Sequence, residues 1–480
     1  MKKRLFIFLL FGSVFFSLTG CFGETKTISE QGLSFGEKDV INGINSGVDY
    51  SSIGDKFSVL DSGILFMKDS HLMYYDFDTE NSYILCGDAA CKHEDNTCVA
   101  WYGLFYEIYG AALYREQLYY FQENSKNNTI ELVQRDATGT TKKVLAALDK
   151  GEYEKDDLLL DSIDWVYYAG DKVWFLANYS YYDIGDLEEG FSVETTVPMS
   201  VDLKTSELIY LQSIPEKDEA IASELSYQFE YIDSNTIIYS SSKYQNKRVL
   251  KEEFEKNYQN GKFEGVEYDS GNPYADYLYS YYKKDEKKEN EYYSYDIKAG
   301  ETEKFYSSEA VTLYGEDRSV VGWVPEVEFY GVFEEYFFCG RCTEENMNAE
   351  SFTNKNNNLY LWDRETGEKT TVLDMEIGGI PGSESTMVGG HIDENRFRYV
   401  VYTGDGENLE MYFYDLSTGA SEKMMDDAKN ITFRIVDSTE EYFVGKIYKE
   451  SFGNVAFDLY KIKKEDYYAG NMNAKVKLKL

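Results

Sequence analysis

The chain has 480 residues with 86 acidic and 48 basic side chains, a formal charge of −38, which excludes ordinary nucleic-acid binding because phosphates need a basic face. Hydrophobic residues make up 43% and aromatics 16%, with 45 Tyr and 29 Phe, too much burial potential for a disordered polyelectrolyte. The composition predicts a folded chain with a large core; its acidic surface reads first as one that resists association, and any partner steered by bulk charge as cationic or neutral rather than anionic.

Residues 1–4 are Met-Lys-Lys-Arg, and Leu5 to Leu18 form an apolar run with the charge and length of an export signal, short for a membrane span. The run ends in Leu18-Thr19-Gly20-Cys21, which resembles the lipobox of bacterial lipoproteins. The resemblance implies that residues 1–20 are a cleaved signal peptide, that Cys21 becomes the mature N-terminus, and that its thiol carries a diacylglyceryl group. Two acyl chains, at about 0.8 kcal/mol per buried methylene, anchor stably where one chain binds only marginally. The expected location is the extracytoplasmic face of the cell membrane, with residues 21–56 as lipidated N-terminus and linker.

Beyond the linker a phrase recurs, an aromatic-rich alternating run that ends in Asp, a turn and a second short run. It reads Tyr-Tyr-Asp-Phe-Asp-Thr-Glu-Asn at 74–81, Val-Asp-Leu-Lys-Thr at 201–205 and Tyr-Asp-Ile-Lys-Ala-Gly at 295–300. It returns as Trp-Asp-Arg-Glu-Thr-Gly at 362–367 and Tyr-Asp-Leu-Ser-Thr-Gly at 414–419, degenerates at Arg135-Asp136-Ala137-Thr138-Gly139, and loses its Asp at 459–464. This is hairpin chemistry: the carboxylate caps the turn and Gly takes the positive φ. A calcium role for Asp76, Asp78 and Glu80 is the lesser reading of the same acids.

Two further strand-like runs precede each phrase, so each unit holds four short strands. The units fall near 57–86, 104–148, 163–213, 226–307, 319–374, 385–428 and 431–468. Seven antiparallel four-stranded sheets in series predict an all-β fold, a β-propeller of about seven blades, with six and eight as the neighbouring counts. The propeller domain is placed at 57–468, with an insertion at 242–291 in the fourth blade and a C-terminal tail at 469–480. Irregular spacing argues against a β-helix, and seven similar units against paired sandwiches.

In an up-and-down blade with strands a to d, the b–c loop and the d–a link to the next blade emerge on one face. The long insertions, Asn178 to Glu194, Ser242 to Glu291 and Thr343 to Asn356, all fall between second and third strands and should crowd that rim. They carry Tyr179, Tyr181, Tyr182, Tyr274, Tyr277, Tyr279, Tyr281 and Tyr282. Such residues suit binding of a glycan, a peptide or an envelope protein through ring stacking plus a hydroxyl. Packing of each loop onto its own blade is the competing use.

With Cys21 committed to lipid, five cysteines remain. Cys86, Cys91, His93 and Cys98 place four soft or borderline donors within thirteen residues of the first d–a link. They would close a structural zinc site, or three thiols would supply a disulfide staple. Cys339 and Cys342 read as a disulfide; the Cys-x-x-Cys redox reading lacks its βαβ context. His71 and His391 read as surface or packing residues.

The lipobox, the Tyr-rich Asp-x-x-Thr-Gly hairpins and the Leu85-Cys86 to Cys98 segment look like a group of largely uncharacterised propeller lipoproteins from Gram-positive bacteria. They are similar, more loosely, to the propeller halves of periplasmic translocation proteins and prolyl peptidases. The resemblance implies fold and anchoring, and no activity.

The chain has no Gly-x-Ser-x-Gly elbow, no His-Glu-x-x-His, no phosphate-binding loop and no dinucleotide fingerprint. With three histidines, none set near a nucleophile by any motif, a serine hydrolase is disfavoured and no catalytic residue is assigned. The expectation is a ligand- or protein-binding module. A glycosidase-like enzyme on the same face is the alternative, since two carboxylates suffice for it, and a structural envelope lipoprotein is the second alternative.

Overall fold

A computed structural model describes residues 35–44, 57–88, 90–94, 98–101, 108–136, 141–152, 158–182, 192–244, 249–262, 273–274, 277, 288–309, 311–314, 320–324, 327–341, 347–348, 353–354, 356–376, 389–393, 395–403, 408–425, 433–451 and 454–480. The expected signal peptide and Cys21 lie outside the described residues.

Period-two alternation of Tyr, Val and Ile with polar residues builds seven four-stranded antiparallel sheets in a ring, a seven-bladed β-propeller. In the first blade, strands a to d are Phe57–Val59, Gly63–Lys68, His71–Asp76 and Ser82–Ile84. The second blade spans 108–149, the third 158–210, the fourth 226–309, the fifth 327–376, the sixth 389–425 and the seventh 433–477. The a strands of neighbouring blades approach one another, as Ile108–Tyr114 does Leu158–Ala169, so they line the axis. Six of the seven a–b pairs carry a register shift, for example between Phe229 and Tyr231 or Phe329 and Gly331. Such bulges increase local twist.

The propeller reaches beyond 57–468 at both ends. Val476–Lys477, in the segment read as a tail, pairs with Tyr460 and Lys461 as strand d of the seventh blade. At the other end, Val40–Asn42 pairs antiparallel with Tyr167–Ala169 and becomes a fifth, axial strand of the third blade. Composition hid both segments, because each is short and takes its partners from strands far away in the chain.

The repeated Asp does what the hairpin reading expects. One carboxylate oxygen accepts two backbone amides at the c–d turns of five blades: Asp78 and Thr79 for Asp76, Lys204 and Thr205 for Asp202, Lys298 and Ala299 for Asp296, Glu365 and Thr366 for Asp363, Ser417 and Thr418 for Asp415. The Ala299 amide at Asp296 and the Ser417 hydroxyl at Asp415 hold those carboxyls below the usual carboxylate range. Four residues after the Asp, φ turns positive: Gly300 +72°, Gly367 +72° and Gly419 +65°, but Glu80 +53° and Ser206 +66° in the first and third blades. Each of those five amides returns to the carbonyl of its Asp at 2.8–3.0 Å.

Apolar side chains fill every gap between neighbouring blades. Trp174 meets Tyr295 edge-on at 5.2 Å between blades three and four, Phe305 meets Trp362 at 5.6 Å between four and five, and Phe338 meets Phe397 at 4.7 Å between five and six. Phe413 and Phe443 flank Tyr467 and Tyr468 between six and seven. The seventh blade closes on the first through Val444, Leu459 and Leu478 against Val59, Ile64, Phe66, Tyr75 and Phe77. Lys461, buried and with its pKa lowered by desolvation, donates to the Phe77 carbonyl at 2.6 Å across the same seam.

Two outcomes follow from this packing. Leu478→Ala, a truncation in the closing seam where the side chain is 3% exposed, should lower the unfolding free energy by about 2–4 kcal/mol, read from urea midpoints at constant m-value. Ser206→Gly should raise it by about 0.5–1 kcal/mol, because the left-handed conformation costs an L-residue about 1–2 kcal/mol and part of that gain is lost to unfolded-chain entropy.

Candidate functional site

The first d–a link, which leaves the sheet after Ile84, folds back along strand c of the first blade. Leu85 donates to the Leu72 carbonyl at 2.9 Å and Leu72 to that of Ala100 at 2.8 Å, while His71 bridges to Trp101. The fold thereby returns Cys98 beside Cys86. Asp88 turns the chain between them, its carboxylate accepting the Ala90 amide and its carbonyl the Cys91 amide. His93 adopts φ +56°, which aims its ring back at the thiols.

The result is one compact cluster. The sulfurs of Cys86, Cys91 and Cys98 and a ring nitrogen of His93 lie within 4.8 Å of one another, with His93 Nδ1 3.2 Å from Cys98 Sγ. Cys86 and Cys98 are 1% and 2% exposed; Cys91 and His93 are half-buried. All three cysteines are free thiols. The Cys98 thiol beside Cys86 draws the Cys86 pKa down, with the Asp88 amide adding to the effect against the cost of burial; Cys98 moves in the opposite direction for the same reason. Among the described residues this is the one group of His, Cys, Asp and Glu side chains with metal-ligand geometry.

A residue that sequence reading left as packing supports the cluster from outside. His71 Nε2 lies 2.7 Å from the His93 carbonyl and Nδ1 2.8 Å from that of Asp69, while its ring meets Trp101 edge-on at 4.7 Å. Twenty-two residues separate His71 from His93, and no local spacing signals that contact.

The enlarged connections sit where strand direction requires. Residues 183–191, 245–287 and 342–355 join strands b and c of the third, fourth and fifth blades. A short hairpin, Val311–Tyr314 with Val320–Val324, occupies the d–a link after the fourth blade. The tyrosines are placed differently from the loop reading. Strand b of the third blade runs on to Tyr182, so Tyr179 and Tyr181 are strand residues, each 7% exposed. Tyr181 donates to the Pro215 carbonyl and packs with Val193 and Ala220, the latter on a short helix, Lys217–Ser223. In the fourth-blade insertion a helix, Lys251–Gln259, buries Phe254 against Tyr274 and Tyr277 at 5.3 and 4.9 Å. Tyr274 donates to the Val249 carbonyl, and the Tyr277 hydroxyl accepts the Val249 amide. These side chains are spent on packing the rim, the competing use named above. Tyr279, Tyr281 and Tyr282 are outside the described residues, or, for Tyr182, the side chain is.

Cys339 lies on strand b of the fifth blade, buried among Phe329, Phe337 and Trp362, and burial pushes its thiol well up. Cys342, its expected partner, is outside the described residues. His391 sits on strand a of the sixth blade.

Part of the axis is occupied by the chain's own backbone. Residues 35–44 enter it from the a–b face, where the Phe35 amide donates to Glu116 in the second blade's a–b turn and Lys38 reaches Asp437 at 2.7 Å and the Val59 carbonyl at 3.3 Å. Ile41 and Ile44 are buried at 3% and 0%, and Ile44 bridges to Ala111. A side chain at Gly43 would stand 2.6 Å from the Gly110 backbone, so only glycine permits this approach.

No family model and no curated protein matches the chain. Among solved structures, it is similar to an uncharacterized protein of Listeria monocytogenes EGD-e at 11% identity over 78% of this chain and 82% of the other, with a TM-score of 0.38. An oligogalacturonate lyase of Vibrio parahaemolyticus aligns at 11% identity over 76% and 74%, TM-score 0.36. The β-propeller domain of the Trilobed protease from Pyrococcus furiosus aligns at 9% over 92% and 96%, TM-score 0.36. At such identities and scores no activity carries over.

Gly43→Val should unseat the axial strand, costing about 1–3 kcal/mol by overpacking. The expected readout is a lower urea midpoint together with new protease cleavage between residues 35 and 56, and Lys262→Ala, at an exposed position on the rim, should show neither.

Proposed function

We propose that this protein is an extracytoplasmic propeller lipoprotein, tethered through a diacylglyceryl group on Cys21, that acts as a binding module through the face carrying its b–c and d–a connections. The observation that carries this reading is the opposition of the two faces. The described chain begins at Phe35 among the a–b turns, whereas every enlarged b–c connection emerges at the opposite end of the strands. Thirteen residues lie between Cys21 and Phe35, a reach of at most about 50 Å. A tether of that length supports an arrangement in which the a–b face looks toward the membrane and the loop-rich face looks away from it.

The ligand chemistry follows from charge. At −38 the chain repels anionic envelope polymers at low salt and draws neutral or cationic ligands, a glycan, a peptide or a basic protein surface. The axial strand supports binding at the rim rather than chemistry in a central funnel, because the channel on the side of blades one to three is taken up by the protein's own backbone.

Three measurements test this together. A bacterial host fed an alkyne fatty acid should label the wild-type chain and not Cys21→Ser, which should leave the membrane fraction. Protease added to intact cells whose wall has been removed should cut first in 245–287. Binding on an array of neutral glycans and basic peptides should fall at least about tenfold when 245–287 is replaced by a short Gly-Ser link. Unlabelled wild-type protein would remove the anchor, and unchanged binding would remove that insertion from the site.

A further inference from the structure

We propose that Cys86, Cys91, His93 and Cys98 bind one zinc-class divalent cation as a closed tetrahedral site that braces the link between the first and second blades. The inference does not depend on the binding role above, since it rests on the donors alone.

Zinc bonds of about 2.3 Å to sulfur and about 2.0 Å to imidazole nitrogen set tetrahedral edges of about 3.8 Å between sulfurs and about 3.5 Å between sulfur and nitrogen. The four donors already lie within 4.8 Å of one another, with the His93-to-Cys98 edge at 3.2 Å, so side-chain shifts of at most about 1 Å complete the polyhedron. Three thiols and an imidazole select zinc over calcium or magnesium, which require oxygen donors.

The surroundings fit the same chemistry. Backbone amides two residues on, at Asp88 and Ala100, hydrogen-bond the sulfurs of Cys86 and Cys98, a contact that stabilises thiolate and therefore a metal–sulfur bond. His71 fixes the His93 backbone through its carbonyl, which sets the direction of the imidazole. A disulfide between any two of the three thiols would leave the third beside an imidazole with no partner to justify it. With all four positions taken by protein, no site remains open for substrate, and the cation holds the loop rather than reacting.

The bracing is needed where it sits. Between Cys86 and Cys98 the described backbone bonds are local, the Asp88 turn holding Cys91 and the Cys98 carbonyl holding Trp101, while the ladder to the first blade engages the flanking Leu85, Ala100 and Trp101. A cation tying Cys86 to Cys98 across that span fixes the exit of the chain toward the second blade.

The test uses the full chain, extracted in detergent and purified without chelator. Elemental analysis should find close to one zinc per chain, and Co2+ exchanged into the protein should give the intense visible bands of a tetrahedral cobalt thiolate. Cys91→Ser and His93→Ala, both at half-buried positions, should retain the far- and near-ultraviolet circular dichroism of the parent and lose affinity by about tenfold or more. Chelation of the wild type should speed proteolysis within 86–98 without shifting the strand signal. Three outcomes would overturn the proposal. One is protein two hydrogens lighter than the sequence, with two of the three thiols unreactive. Another is reduced protein that takes up neither Zn2+ nor Co2+. The last is stoichiometric zinc that survives His93→Ala unchanged.

Discussion

The ring closes on side-chain packing, and everything else depends on that seam. Each blade takes its four strands from consecutive residues, so no shared sheet latches the last blade to the first. What holds them is an apolar layer, Val444, Leu459 and Leu478 against Val59, Ile64, Phe66, Tyr75 and Phe77. The buried Lys461 ammonium spans it to the Phe77 carbonyl. Burial of each such side chain contributes about 1.5–3 kcal/mol, against about 1.5–3 kcal/mol for the charged Lys461 donor and less for the exposed bonds from Lys68 and Ser82 to the Leu480 and Lys479 carbonyls. The layer outweighs these bonds, and the chain's high aromatic content is explained by seven such layers.

A second constraint breaks the symmetry of the ring. Residues 35–44 pass from the a–b turns into the axis and add a strand to the third blade, so the two ends of the channel differ. One end is tied by Phe35, Lys38 and Val40 to the first, second, third and seventh blades. The other carries the long connections. The Gly43–Gly110 approach admits the strand because Gly43 has no Cβ, while a Cβ at Gly110 would strike Val166 of the third blade, and Tyr168 donating to the Gly110 carbonyl at 2.8 Å secures the same spot. The long connections form the rim of the other end.

The cysteine cluster belongs to that rim but is built by different means. Its donors come from a single link of the chain, yet their convergence is set by the first blade: Leu72 receives both ends of the link, and His71 holds the middle. The link is thus strapped to one sheet at two places, with its polar side chains turned toward one another.

The sequence by itself determined the propeller architecture to within one blade, the position of each insertion and the turn chemistry, because these are local. Alternation of period two fixes strands, an Asp followed four residues later by a positive-φ position fixes hairpins, and strand direction fixes which loops share a face. It also named Cys86, Cys91, His93 and Cys98, since their spacing is visible without any fold. Only the tertiary structure decided where the terminal segments go, that Tyr179, Tyr181 and Tyr277 are buried, and that His71 serves the cysteine link. Each of those facts depends on a partner far away in the chain. Ile41 meets Tyr168 and Leu478 meets the first blade through closure of the ring, and closure leaves no periodic trace in the residues it brings together.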